Sequence, residues 1–423
     1  MLSRVTIDRR RMGTAYEMFN PNKDHLNHFG APSSGFWETV LKLFLKSTAK
    51  VILIMPYLMN AVGVVQFFLV VLFIGWLGYL KGNILVETSI KEGYFNYGLL
   101  LRKAFKTNAF VLVSVTECAA LLVEYGFIII QIGQILEGTE LFRIIELNPV
   151  YPTVAICFFT HLAFLTSTST RAKIVTFFSY MGFTIILIAF FISLISVGKF
   201  HSVSVNDLFF FNSGNFLQCI MFLISAFRGN KETLDLCRSY SKDEKIMRRL
   251  NKWNSVIFIC FGWTFSFLYY MEYLPGSRSD YNARNALDIY KNAPQGFNWS
   301  LVFYTFCLMQ MLNDNIQHTI HYLDNLFSAK MSDSKCVSFC LSIFFTVFNN
   351  LIIYRYQYSS VFLGVIIFFP NVFIGIPLLI NLQVLPNQSL GKILALSSLV
   401  AMFFFFSLYS IINFSTVLSD KNQ

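Results

Sequence analysis

The sequence predicts an all-α membrane protein of about eleven transmembrane helices. Three observations predict it. First, the 423 residues are 55% hydrophobic and 13% charged, with 48 Phe and a mean hydropathy of +0.56. Soluble domains carry about 25% charged residues, so half that share is too little to cover a wetted surface, and the solvent left is lipid. Second, apolar runs long enough to cross a bilayer, about 20 residues, recur along the chain. They lie at 36–62, 64–86, 106–136, 148–168, 172–197, 207–228, 252–275, 298–328, 335–354, 357–382 and 388–414. Third, Lys and Arg are unevenly shared between the segments that join these runs.

Residues 1–35 form a polar N-terminal segment, 36–414 the transmembrane domain and 415–423 a short tail. Arg4, Arg9, Arg10 and Arg11 precede a long polar stretch, which is not the layout of a cleaved signal, so the first span serves as the insertion signal. With the N-terminus in the cytoplasm, the inner segments outweigh the outer ones in Lys and Arg by about three to one, as the positive-inside rule requires. The odd span count puts the C-terminus outside. Asn298-Trp299-Ser300, a glycosylation sequon, then falls at the end of an outer loop. This orientation accounts for the net charge of +10 without a nucleic-acid partner. The eight cysteines show no CxxC spacing and none lies in a segment placed outside. No disulfide framework or zinc site is expected, and most should be small buried apolar residues.

Ionisable residues inside spans usually face a cavity or a partner. In the first span Glu38, Lys42, Lys46 and Lys50 recur every four residues and line one helix face. Lys42 and Lys46 can snorkel to the cytoplasmic surface. Lys50 lies about 6 Å deeper than Lys46 and is a candidate for a central cavity. Pro56 follows, and frees a backbone carbonyl for either a simple kink or a site. In the third span Glu117 and Glu124 stand seven residues apart, hence on one face, with Tyr125, Gly126 and Gln131 nearby. Such a carboxylate can hold a proton in a low-dielectric site or pair with a lysine such as Lys50. The sixth span ends Ser225-Ala226-Phe227-Arg228-Gly229-Asn230, which suits either a broken helix or an ordinary cytoplasmic end capped by Arg228. His161 is a lone histidine in the fourth span. His318, His321 and Asp324 recur every three residues but lack a fourth ligand at helical spacing, so no metal is expected. Neither a GxSxG elbow nor a Walker motif occurs.

These features together resemble the amino acid/auxin permease family, over about residues 36–414. Pro56-Tyr57-Leu58-Met59-Asn60-Ala61-Val62-Gly63 looks like the family's proline-aromatic stretch with a glycine seven residues on. Glu124-Tyr125-Gly126 sits where the third span often carries a tyrosine. Arg171, Ser179 and Gly182 resemble the start of the fifth span, Ala226-Phe227-Arg228-Gly229-Asn230 the break in the sixth, and Gly364 with Pro377-Leu378-Leu379 a late glycine before a proline-terminated apolar run. The family's glycine-x-glycine break is replaced by Thr48-Ala49-Lys50-Val51, and Asn230 stands where a histidine is common.

The resemblance implies a leucine-transporter-type fold, with two inverted five-helix repeats plus one extra helix. It implies a secondary transporter that moves an amino acid by alternating access, with H+ or Na+ as coupling ion and no other cofactor. Substrate would sit between the first and sixth spans, against Thr48, Ala49, Lys50, Val51, Ser225, Ala226, Phe227 and Gly229, with Tyr125 from the third span and Gln310 and Asn313 from the eighth. Lys50, Glu117 and Glu124 are the coupling candidates, and Lys50 can also stand in for a coupling cation by its own charge. The membrane is the plasma membrane or that of a vacuole or lysosome. Two other readings compete: a non-transporting amino-acid sensor of the same fold, and a multispan acyltransferase using His161 or His318.

Overall fold

In a computed structural model the described residues are 35–137, 177, 180–188, 191, 208–209, 213–227, 233–234, 243–273, 295–327, 335–356, 364, 368, 370–385 and 388–420. Their regular elements are all helical. Three helices, Val64–Glu92, Thr107–Leu136 and Leu390–Tyr409, are long and apolar enough to cross a bilayer. The span expected at 148–168, the sequon loop before 295, His161, Arg171, Gly229 and Asn230 lie outside the described residues.

The first apolar run is not one helix. Helix α1 (Phe36–Ile52) stops, Leu53 and Ile54 form a turn, and α2 (Met55–Val62) begins with Pro56 in its first turn. Proline is tolerated there because its missing N–H would have no partner in any case. Gly63 then separates α2 from α3 (Val64–Glu92) at φ +95°, a conformation that favours glycine. Thr48–Val51, where the family resemblance puts the break, remain helical. Without the two glycines the helix runs on until Pro56 stops it.

Beyond α3 comes a short helix the apolar runs do not predict, α4 (Tyr97–Ala104). Asn96 caps it, its side chain accepting from the Gly98 and Leu99 N–H groups. Helix α5 (Thr107–Glu137) follows the predicted third span closely. Residues 180–188 are helical, and Gly182 lets them lie on the backbone of Phe303. Helix α6 (Ser213–Ile224) tightens into a 3-10 turn at Ser225–Phe227, so the sixth span changes its winding before Arg228.

Helix α7 (Glu244–Tyr273) starts eight residues earlier than the run 252–275 predicts. The Asp243 carboxylate accepts from the Lys245 N–H, an N-cap. The added turns are amphipathic: Met247 and Leu250 bury against Val40 and Val86, while Lys245, Arg248 and Arg249 stay exposed. A search for continuous apolar residues misses such a half-polar entry. Helices α8 (Gln295–Phe327) and α9 (Lys335–Tyr356) match the eighth and ninth runs. The tenth run includes a π-turn (Asn371–Gly375) leading into α10 (Ile376–Val384), and α11 (Leu390–Asp420) continues past the predicted tail boundary at 414.

The core holds α1, α2, α5, α6 and α8, with α3 and α7 packed along one another. Glycines set the close approaches: a Cβ on Gly78 would stand 2.2 Å from the Phe227 ring, and one on Gly364 2.5 Å from Val123. Among the described cysteines only Cys219 and Cys307 are buried; Cys118 is intermediate and Cys260, Cys336 and Cys340 are exposed. The expectation of mostly buried thiols is corrected there. An apolar run marks a lipid-facing stripe as readily as a core.

Gly182→Ala should lower the thermal unfolding midpoint of the purified protein, because its Cβ would lie 2.4 Å from the Phe303 carbonyl oxygen. Overpacking of this kind costs about 1–3 kcal/mol. Gly391→Ala, which meets nothing within 4 Å, should leave the midpoint unchanged or slightly raised.

Candidate functional site

The end of α1 leaves carbonyls that its own helix cannot satisfy, the last four in any α-helix. Their partners define the centre of the molecule. The Ala49 carbonyl accepts from the Tyr304 hydroxyl of α8. The Lys50 carbonyl accepts from Gln131 Nε2 of α5 at 2.6 Å. The Val51 carbonyl accepts from the Ile54 N–H at 3.0 Å. The break is therefore held by side chains from two other helices.

Lys50 itself turns into the protein. Its Nζ lies 2.6 Å from Glu124 Oε1, and both side chains are fully buried. The ammonium also stands 5.5 Å from the centre of the Phe373 ring, a cation–π contact presented by the π-turn. Its place in the last turn of α1 puts a positive charge at the negative end of the helix dipole. Removing either partner from such a pair would strand a charge in an apolar interior.

The seven-residue spacing along α5 puts Glu117, Glu124 and Gln131 on one face, where each meets a different partner. Glu117 is buried and accepts from the Tyr97 hydroxyl at 2.9 Å and the Tyr322 hydroxyl at 3.4 Å. It thus joins α4, α5 and α8, two turns from the Lys50 pair. Tyr125, adjacent to Glu124, points elsewhere: its hydroxyl shares a hydrogen bond of 2.8 Å with Thr346 of α9.

Residues 228–232 lie outside the described residues, and the described part of the sixth span ends in the 3-10 turn at Ser225–Phe227. All three residues are buried, and the Ser225 hydroxyl donates to the Phe222 carbonyl at 2.7 Å. The Phe227 carbonyl accepts from the Lys81 ammonium of α3. The Phe227 ring packs edge-on against Phe258, centroids 4.8 Å apart. Ser47, Lys81, Phe227, Thr233, Asn251 and Asn254 are among the residues that line a small cleft beside this turn. Lys81 is a deep cation to which the sequence reading gave no role, although Gly78 and Gly82 flank it and clear space for Phe227 and Asn251.

Of the residues singled out from sequence, Ala49, Lys50 and Glu124 meet at one place. Thr48 and Val51 are buried beside them, the Thr48 hydroxyl donating to Phe44. Ser225, Ala226 and Phe227 form the 3-10 turn that ends the described part of the sixth span and packs on α1. Gln310 and Asn313 are half-buried on another stretch of α8. There Gln310 reaches Asp314 at 3.4 Å, and Asp314 lies 3.6 Å from Lys46 of α1. Lys42 pairs with Glu38 at 2.5 Å on the surface. Tyr304, Tyr97, Tyr322 and Phe373 carry no sequence signal of their own, since tyrosine and phenylalanine abound in every span. No group of three or more His, Cys, Asp or Glu capable of holding a metal occurs among the described residues.

No protein-family model matches this chain, and no curated protein matches it in sequence. Solved structures do match. One is the manganese transporter of Eremococcus coleocola in complex with an aromatic bis-isothiourea substituted compound: TM-score 0.58, 11% identity, 92% of this chain and 91% of that one. Another is Mhp1, a nucleobase-cation-symport-1 family transporter in a closed conformation with bromovinylhydantoin bound: TM-score 0.58, 13% identity, 94% and 96%. The chain has the leucine-transporter-type fold. At these identities the likeness is one of fold.

Tyr304→Phe and Gln131→Leu each remove the side-chain donor to a carbonyl at the end of α1. Each should lower the thermal unfolding midpoint, by an amount matching the about 1–3 kcal/mol cost of an unsatisfied buried group. Tyr125→Phe, which leaves both carbonyls paired, should shift it less.

Proposed function

We propose that this protein is a secondary transporter that moves an amino acid across a membrane by alternating access. The observation that carries the reading is the first span, interrupted at Leu53–Ile54 and packed against the 3-10 turn at Ser225–Phe227 in a leucine-transporter-type fold. Half-helix ends at such breaks offer a positive N-terminus to a carboxylate and carbonyls to a cation. In this reading the bundle has eleven spans, ten of them in two inverted repeats, with the N-terminus in the cytoplasm of a plasma, vacuolar or lysosomal membrane. The amino acid comes from the sequence resemblance; the solved structures support only the transporter part.

Lys50 and Glu124 supply the central charges. Their ammonium and carboxylate lie at the end of the first half-helix, where a charged substrate or coupling ion would bind. A substrate carboxylate can take over the Lys50 ammonium, and its amino group the Glu124 carboxylate, exchanging one ion pair for two. Coupling to H+ or Na+ then acts on how readily that internal pair opens. Glu117, clamped by two tyrosine hydroxyls, is the second coupling candidate.

One observation favours a second reading. The Lys50–Glu124 pair fills the place between the first span and α5 with no exposed side-chain surface. A protein whose centre opens rarely suits a sensor that binds an amino acid without moving it. The acyltransferase reading has no comparable support: His318 lies half-buried in α8, at neither the break in the first span nor the 3-10 turn.

The test is uptake of a labelled amino-acid mixture into proteoliposomes under an imposed pH gradient and, separately, a sodium gradient. Uptake driven by one gradient is the expected result. Binding by thermal shift without flux under either would favour the sensor. The Lys50→Ala, Glu124→Ala double variant should lose most uptake, and unchanged uptake would remove these two residues from the mechanism.

A further inference from the structure

Helix α9 carries two thiols in an unusual place. Cys336 and Cys340 are one helical turn apart and both exposed. The same stripe continues through Phe344, Val347, Phe348 and Leu351, which are 52%, 49%, 38% and 65% exposed. The opposite face carries Ser338, Ser342, Phe345, Thr346 and Asn349, all buried, and meets α5, where Asn349 donates to the Leu122 carbonyl at 3.2 Å. The cysteines are thus the first two positions of the lipid-facing stripe of a helix whose other face is fixed. Lys330 and Lys335 stand immediately before them, and the charge-derived orientation puts this end in the cytoplasm.

Three uses are open to such a pair. A metal site needs more ligands, and no group of three or more candidate ligands occurs among the described residues. A disulfide does not persist on the cytoplasmic side, where thiols are kept reduced. The third use fits the placement: a thiol at the cytoplasmic edge of a span, with an apolar stripe running from it into the bilayer, is positioned for a fatty acyl chain. We propose that Cys336 and Cys340 form an S-acylation site, which takes a long-chain acyl group from an acyl-coenzyme A donor through a membrane-bound acyltransferase.

The step balances without an oxidant. The cysteine gives up its proton, and its sulfur attacks the thioester carbonyl of the donor. The bond from that carbonyl to the coenzyme A sulfur breaks, and coenzyme A leaves as the thiol, carrying the proton. A new thioester remains on the protein. The attached chain then lies along Phe344, Val347 and Leu351 and holds the cytoplasmic end of α9 at the membrane surface.

Cys260 provides an internal contrast. It too is exposed on its helix, but it lies eight residues into the run 252–275. That is about 12 Å into the span at 1.5 Å per residue, beyond the reach of a polar donor such as coenzyme A. Exposure alone does not make the site; exposure at the interface does.

The test uses the full chain expressed in eukaryotic cells. Free thiols are blocked, thioesters are cleaved with neutral hydroxylamine, and the released thiols are coupled to a maleimide–polyethylene glycol mass tag. The expected result is a hydroxylamine-dependent gel shift in the wild type, retained in Cys260→Ser and abolished in the C336S/C340S double variant. A matching size-exclusion profile of the double variant shows that folding is intact, as expected for exposed side chains. A wild type without a shift, or a double variant that keeps it, overturns the proposal.

Discussion

Burying a full positive charge in this bundle constrains everything near it. Lys50 and Glu124 are both withdrawn from solvent, and an isolated ion there would carry a penalty of several kcal/mol even after relaxation. The two must therefore meet, which fixes the rotation of α1 about its axis and its height against α5. A shift of one residue along either helix turns the side chain by about 100° and strands both charges. The break after Ile52, set by Pro56 four residues on, falls beside the pair. Because α1 ends two residues beyond Lys50, its last carbonyls are free for Tyr304 and Gln131, and the neighbourhood of the pair becomes a hydrogen-bonded node joining three helices.

The 3-10 turn at Ser225–Phe227 repeats this logic with different atoms. The Phe227 carbonyl is met by the Lys81 ammonium of α3, so a buried lysine stands at each place, Lys50 from α1 itself and Lys81 from a neighbouring helix. In one case the lysine pairs with a carboxylate and in the other it donates to the backbone. Glycines at 78 and 82 bring α3 close enough for this to happen. The Asn381 amide, donating to Thr88 at 2.7 Å, and Lys392, bridging to Glu87 at 3.0 Å, tie the later helices to the far end of α3. Helix α3 is the strut along which both parts are aligned.

Much of this was legible in the sequence because it rests on rare residues. A lysine and two glutamates deep in apolar runs announce themselves, and the seven-residue step from Glu117 to Glu124 to Gln131 places them on one face before any coordinates exist. Pro56 and Gly63 mark the break and the turn after it. What the sequence hid was direction and partnership. Tyr125 follows Glu124 in the chain but lies about 100° around the helix, so it faces α9 and not the ion pair. Gln310 and Asn313 lie on a different part of α8 from Tyr304, the residue that reaches α1. Lys81 lies near the predicted end of its span, where a lysine ordinarily snorkels, so it carries no special signal in the sequence. The helical state of Thr48–Val51 was masked by a family pattern in which glycines stand there.

The central claim is that Lys50 and Glu124 act as one buried unit. A double-mutant cycle on thermal unfolding, using Lys50→Met, Glu124→Gln and the pair together, tests it most directly. The account predicts that each single variant loses about 3–5 kcal/mol, since each strands the other charge, and that the double variant recovers most of that loss. Costs that simply add, or single variants as stable as the wild type, would show that the two charges do not meet, and would contradict the architecture built around them.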